Sequence, residues 1–254
     1  MDRQKIQKYA KAIELKSPSK KEFFLIHGYT GSPTDFNQLP YYLHKKFNAN
    51  VKIPRLRGHG TNVKNLGKLN YRDFFNQIEK ELEKDIKNGK EIVLIGISLG
   101  AFIAFQLSAK YKVKGVIAVS PMYKYKFPFN FLSIIEPIIF KKIWKKPIPE
   151  YEKELRKNSF SYEVVHGRGF RVIRQAKREI KKYFKMVKVP YLIIGSKKDM
   201  IVDYRGFETI KKMIGSKNVK MFIFDSKKKA NHNLFYSPHH NEVYKIIEEF
   251  IKKI

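Results

Sequence analysis

The sequence predicts an α/β protein, built as a mostly parallel sheet with helices on both faces and a helical cap insert. Short apolar runs rich in β-branched residues alternate with longer amphipathic segments. Two of those runs end in glycine-rich turns, and one long stretch late in the chain breaks the alternation. The length, 254 residues, suits one large α/β domain or one domain carrying an insert.

In chain order, residues 22–27 (EFFLIH) read as a buried strand ending at Gly28. Residues 33–47 read as a helix capped by Ser32, with Pro33 at its first position. Residues 51–54 are a short strand. Residues 71–87 are helical, with Phe74, Phe75, Ile78, Leu82 and Ile86 on one stripe and Asn88-Gly89 as the stop. A strand at 91–96 (EIVLIG), a helix at 99–111 and a strand at 113–119 (VKGVIAV) follow, closed by Ser120-Pro121. Strands at 191–195 (YLIIG) and 219–224 (VKMFIF) each precede a helical stretch, the last at 242–254. Between 122 and 186 no strand pattern stands out, and the segment is rich in Phe, Tyr, Trp, Ile, Lys and Pro. Its length and aromatic content favour a cap over ordinary helices of the sheet layer. The expected division is a core of residues 1–120 and 187–254 with a cap (lid) at 121–186.

Composition narrows the chemistry. There is no Cys, which excludes disulfides, thiolate catalysis and Cys-ligated zinc. The 7 His are scattered, and no pair has zinc spacing on a helix, so neither metal nor cofactor is implied. Residues 1–16 lack the apolar core of a signal peptide, and no apolar run approaches a membrane span; a cytoplasmic protein is expected. Lys and Arg number 53 against 23 Asp and Glu, a net charge of +30 that attracts polyanions. The basic residues are spread along the chain rather than concentrated among aromatics, so no specific nucleic-acid site is expected. Loose association with an anionic membrane surface is the better-supported partner. The sequence leaves the oligomeric state open.

The strongest motif is Gly96-Ile97-Ser98-Leu99-Gly100, placed between a strand and a helix. A turn this tight exposes the Ser98 hydroxyl in a strained conformation, and the two glycines relieve crowding where helix and strand pass. Serine alone is a poor nucleophile; it needs a base, and the base an orienting acid. Asp199 lies just past YLIIG and His232 just past VKMFIF, so both face the same strand-end rim as Ser98. Asp203 fits better as the cap of the next helix, and Asp225 comes one strand too late. His239 and His240 look solvent-facing, and His44 and His166 lack a partnering strand end. His59, in RGHG, reads as a loop-ordering residue and His27 as a structural one. The HGYTG turn after the first long strand can aim a backbone N–H at a developing oxyanion. Tyr29 is the first such donor and Leu99 the second, both through the main chain.

Taken in order, HGYTGSPTDFNQL, RLRGHG, GISLGA, GSKKDMIV and ANHNL resemble the carboxylesterase and monoacylglycerol-lipase branch of the α/β-hydrolase superfamily. The resemblance runs over residues 23–254 and fades in the cap. It implies the α/β-hydrolase fold, Ser98 as nucleophile, His232 as base, Asp199 as acid, Tyr29 and Leu99 as oxyanion donors, and a small-molecule ester as substrate. Two features depart from the usual pattern: lysines flank the acid loop, and Asp203 stands where a proline is common. Phe127, Phe129, Phe131, Leu132, Ile134, Ile135, Ile138 and Ile139 are the candidate acyl lining, or else the cap's own packing. A thioesterase or acyltransferase with the same triad, a carbon–carbon hydrolase, and a non-catalytic binder of anionic lipid or nucleic acid remain the alternatives.

Overall fold

The computed structural model describes residues 8–135, 143–145 and 148–254. Its main sheet has seven strands: β1 (Ile13–Leu15), β2 (Lys21–Ile26), β3 (Asn50–Ile53), β4 (Glu91–Ile97), β5 (Gly115–Val119), β8 (Tyr191–Ser196) and β9 (Val219–Phe224). They lie side by side in the order β1-β3-β2-β4-β5-β8-β9. Every pairing is parallel except that of the edge strand β1 with β3. Parallel strands buried on both faces need apolar side chains in both directions, which is why these runs read as continuous rather than alternating.

The faces share out the strand residues in turn. Phe24, Ile26, Leu94, Val116 and Ile193 pack beneath α3 (Tyr71–Lys87), α4 (Leu99–Lys110), α7 (Arg168–Ile180) and α8 (Arg205–Met213). Phe23, Leu25, Val51, Ile95 and Ile117 pack beneath α1 (Leu39–Phe47) and α9 (His240–Ile251). Helix α3 carries the predicted stripe and starts in a capping box between Asn70 and Asp73.

Two expectations change, and strand β1 has no counterpart in the sequence reading. The helix expected over 33–47 is broken: Pro33–Phe36 is a 3₁₀ turn, Asn37 adopts φ 49°, and α1 begins only at Leu39. Strand β1 has 3 half-buried or exposed residues, too few for a period to show. The segment between β5 and β8 does contain strand: β6 (Ile143–Lys145) pairs antiparallel with β7 (Val164–His166) in a separate small sheet. The same segment holds α5 (Phe129–Ile134) and α6 (Glu150–Leu155), with a short α2 (Val63–Leu66) lying beneath β7. Helix α7, at its end, packs on α3 and α4, within the sheet's own helix layer. Among the described residues no helix is long and apolar enough to cross a membrane.

Candidate active site

Ser98 sits between β4 and α4 at the carboxyl ends of the strands. Its backbone has φ 59° and ψ −114°, the strained turn the motif requires, and its N–H donates to the Val119 carbonyl at 2.9 Å. The flanking glycines answer a steric demand. A Cβ on Gly100 would lie 1.9 Å from the Ile26 carbonyl oxygen, and one on Gly96 would lie 2.4 Å from the Gly100 oxygen.

Asp199 is fully buried in the loop after β8. Its Oδ1 accepts the Ile201 and Val202 N–H groups, both at 2.8 Å, which turns Oδ2 toward His232. His232 Nδ1 donates to that Oδ2 at 2.8 Å. With Nδ1 carrying the proton, Nε2 is left to accept from Ser98 Oγ at 2.9 Å. Two further contacts tie the acid and base loops together. Ser196 Oγ donates to the Ala230 carbonyl at 2.6 Å, and Met200 N–H donates to Asn231 Oδ1 at 3.0 Å.

The glycine-rich turn after β2 is held from beneath. The Gly28 carbonyl accepts from His27 Nδ1 at 3.0 Å and from Gly31 N–H at 3.2 Å. Because a trans peptide sets its C=O and N–H in opposite directions, anchoring that carbonyl turns the Tyr29 N–H the other way. His27 accepts the Leu56 N–H on Nε2 at 3.1 Å, so its one proton sits on Nδ1. His59 meets the Tyr29 carbonyl at 2.6 Å and the Arg57 carbonyl at 3.0 Å. Burial pushes His27 down to about 4; burial and then His27 push His59 down to about 3. The His27 ring, donating on Nδ1 and accepting on Nε2, is neutral and structural, and His59, with both nitrogens turned to carbonyl oxygens, is structural too. The Leu99 N–H opens α4 and has no intrahelical acceptor.

The remaining candidates fall elsewhere. Asp203 accepts from Arg205 N–H and side chain, and Arg205 together with Lys124 holds it down at about 2. Asp225 is exposed against Lys197. His44 closes the end of α1 on the Ala49 carbonyl, and His166 lies in β7 beside Gly67. His239 and His240 are half-buried rather than solvent-facing, packed on Phe224 and Tyr244.

Ser98 and His232 open into a recess. One side is apolar: Met122, Phe129, Val165, Phe170, Ile173 and Ile201. Of the expected acyl lining only Phe129 is placed there. Phe127 and Phe131 instead stand in solvent; Leu132 and Ile135 are half-buried and not on the wall. Ile138 and Ile139 lie outside the described residues, and nothing is described of the Ile134 side chain. Tyr125 also lines the recess, and its buried hydroxyl has no hydrogen-bond partner among the described residues.

The opposite side is polar, and sequence reasoning missed it. Arg156 reaches Glu152 at 2.8 Å and Asp35 at 3.4 Å, and lies 4.2 Å over the Tyr236 ring. Burial works against its charge, but Asp35 and Glu152 outweigh burial and keep the guanidinium charged. Asn231 Nδ2 donates to Glu152 Oε2 at 3.4 Å, joining this cluster to the base loop. The i,i+4 spacing of Glu152 and Arg156 was the available signal.

A seven-stranded, mostly parallel sheet with Ser, Asp and His converging at its strand ends defines an α/β-hydrolase. The chain belongs to the family described as serine aminopeptidase, S33, whose model matches residues 17–238. It is similar to a carboxylesterase of Bacillus subtilis, 19% identical over 237 residues, covering 92% of this chain and 93% of that protein. Among solved structures it resembles a metagenome-derived lipolytic enzyme, with TM-score 0.81, 18% identity and coverage of 98% of this chain and 100% of that one. It also resembles a soluble variant of monoglyceride lipase from Saccharomyces cerevisiae, solved with a substrate analog: TM-score 0.77, 16% identity, coverage 95% and 91%.

Proposed function

We propose that the chain is a serine carboxylic-ester hydrolase for apolar acyl esters, short- to medium-chain or monoacylglycerol-like. The observation that carries this reading is the continuous hydrogen-bonded path from Ser98 Oγ through His232 to Asp199, at the floor of a recess with an apolar wall. The carboxylesterase and monoglyceride lipase among the similar proteins support the ester over the amide.

Ser98 Oγ attacks the ester carbonyl as His232 Nε2 takes its proton. The oxyanion is met by the N–H groups of Tyr29 and Leu99, the second at the positive end of α4. The alcohol leaves with the proton from His232, giving an acyl-enzyme on Ser98. Water, deprotonated by the same nitrogen, releases the acid. Asp199 fixes the imidazole tautomer and stabilises the imidazolium. Residues 121–186 act as the cap over a core of 1–120 and 187–254, with Phe129, Phe170 and Ile173 against the acyl chain.

Hydrolysis of a p-nitrophenyl ester series, short to long acyl, by wild type and Ser98→Ala tests this. Wild type is expected to turn the esters over, and the variant to lose about three orders of magnitude or more in kcat. Equal rates in both proteins, or no turnover of any ester by folded wild type, would sink the reading. Turnover confined to thioesters would move it to the thioesterase class.

A further inference from the structure

The mouth of the recess carries a feature that the hydrolytic chemistry does not use. Residues 124–126 run antiparallel beside the acid loop: Tyr125 bridges Val202, Lys126 N–H donates to the Ile201 carbonyl, and Asp203 N–H donates to the Lys124 carbonyl. Phe127 follows this paired stretch, and Met200 precedes Ile201 in the acid loop. These two side chains are 77% and 45% exposed, and Phe131, the third residue of α5, is 51% exposed. They are the rim of the recess, since Tyr125, Phe129 and Ile201 line its interior.

Cations surround this apolar ledge. Lys126 Nζ reaches the Lys197 carbonyl at 3.0 Å, Lys198 is exposed beside it, and Lys124 and Arg205 stand at the Asp203 side. Asp203 and Asp225 are the carboxylates that pair with this group, and they leave it with an excess of positive charge. Exposed phenylalanine and methionine ringed by lysine is the composition that inserts apolar side chains below a headgroup layer while the ammonium groups meet anionic headgroups. The net charge of +30 acts in the same direction at longer range.

We propose that this rim, Phe127, Phe131 and Met200 within the collar of Lys124, Lys126, Lys197 and Lys198, is a docking surface for an anionic lipid membrane. Docked this way, the recess faces the bilayer, and an apolar ligand passes from lipid to protein without crossing water. The surface stands whether or not Ser98 cleaves esters, so its test is made on binding.

Flotation with vesicles of phosphatidylcholine alone, or with phosphatidylglycerol added, separates the contributions. Wild type and Ser98→Ala are expected to float with the anionic vesicles at about 0.1 M salt, and much less with the neutral ones. The double variant Phe127→Ser/Phe131→Ser is expected to lose at least about tenfold in partition. Lys126→Glu/Lys198→Glu is expected to lose the preference for phosphatidylglycerol. Thermal melts check that the variants fold, and unchanged p-nitrophenyl acetate hydrolysis by the Phe variant checks the active site. Flotation of the Phe variant equal to wild type would overturn the ledge in favour of diffuse charge. Failure of wild type to float would overturn docking altogether. Binding of single-stranded oligonucleotide that needs the same two phenylalanines would assign the surface to nucleic acid. Wild type that floats but hydrolyses no ester would keep this surface and discard the ester reading.

Discussion

At the residue scale the site depends on missing atoms as much as on present ones. Gly89 and Gly100 make the contrast. Gly89 ends α3 at φ +74°, and a methyl group added there would meet nothing within 4 Å, so alanine faces only left-handed strain. That strain costs about 1–2 kcal/mol. Gly100 has ordinary φ, but its Cβ would enter the Ile26 carbonyl, and neither β2 nor α4 can retreat without opening the core. Gly89→Ala is expected to keep full hydrolysis and shift the urea midpoint slightly. Gly100→Ala is expected to lose hydrolysis and several times as much stability. Equal losses in the two variants would contradict the packing argument. The region around Ser98 was legible because strand, turn and helix are contiguous in sequence. Asp199 and His232 were legible because each follows a strand pattern at the same edge. Tyr125, Asp35 and Arg156 were not, because what they face is decided by how the segment between β5 and β8 folds back over the loops.

At the element scale, that segment is fastened to the loop following β2. Arg156, at the end of α6, bridges Glu152 and Asp35, and Tyr162 N–H donates to the Thr30 carbonyl at 2.8 Å. The loop thus clamped is the one that carries Tyr29, the proposed oxyanion donor. Arg156→Met keeps much of the packing on Tyr236 but leaves two buried carboxylates without their cation. Breaking one partner out of such a buried group costs about 3–5 kcal/mol. Part of that loss is expected as local loosening: a higher KM and a lower kcat with p-nitrophenyl esters, beyond the fall in denaturant midpoint. Arg156→Lys keeps the charge without the planar fork, so it is expected to fall between the two. Unchanged kinetics in Arg156→Met would show that the clamp does not reach the loop. The elements that escaped sequence reading share one cause. β6 and β7 are 3 residues each and stabilise one another across a long separation, so neither carries a local period. The break at Asn37 is likewise tertiary: its side chain donates to the Phe235 carbonyl, far along the chain.

At the scale of the whole molecule, the response of stability to pH is set by a few buried groups, because the 53 Lys and Arg stay charged throughout the neutral range. His27 is held neutral in the fold, pushed down to about 4, whereas in the unfolded chain it titrates near 6.5. A histidine depressed this way contributes stability above its unfolded value and loses it as pH falls. Glu22 works in the opposite direction. It is buried at the far end of β2, with Asp85 and Glu81 from α3, Lys52 from β3 and Lys90 from the turn before β4 around it. One of its carboxylate oxygens has no partner among the described residues. Burial first, then Asp85, pushes it up to about 7 from 4.5. Its contribution is full below the unfolded value and is lost as pH rises through the folded one. Between about pH 5 and pH 6 the unfolded chain therefore binds the His27 proton and the fold the Glu22 proton, so the two contributions cancel and the slope is near zero. Glu22→Gln removes the opposing proton and is expected to leave a slope of about 1.4 kcal/mol per pH unit. It is also expected to stabilise the protein at about pH 8, where the wild-type carboxylate is ionised without full solvation. Urea unfolding of both proteins from about pH 5 to pH 8 checks the expectation. Curves that run parallel across that window would mean Glu22 is already ionised in the fold, with Lys52 and Lys90 outweighing burial.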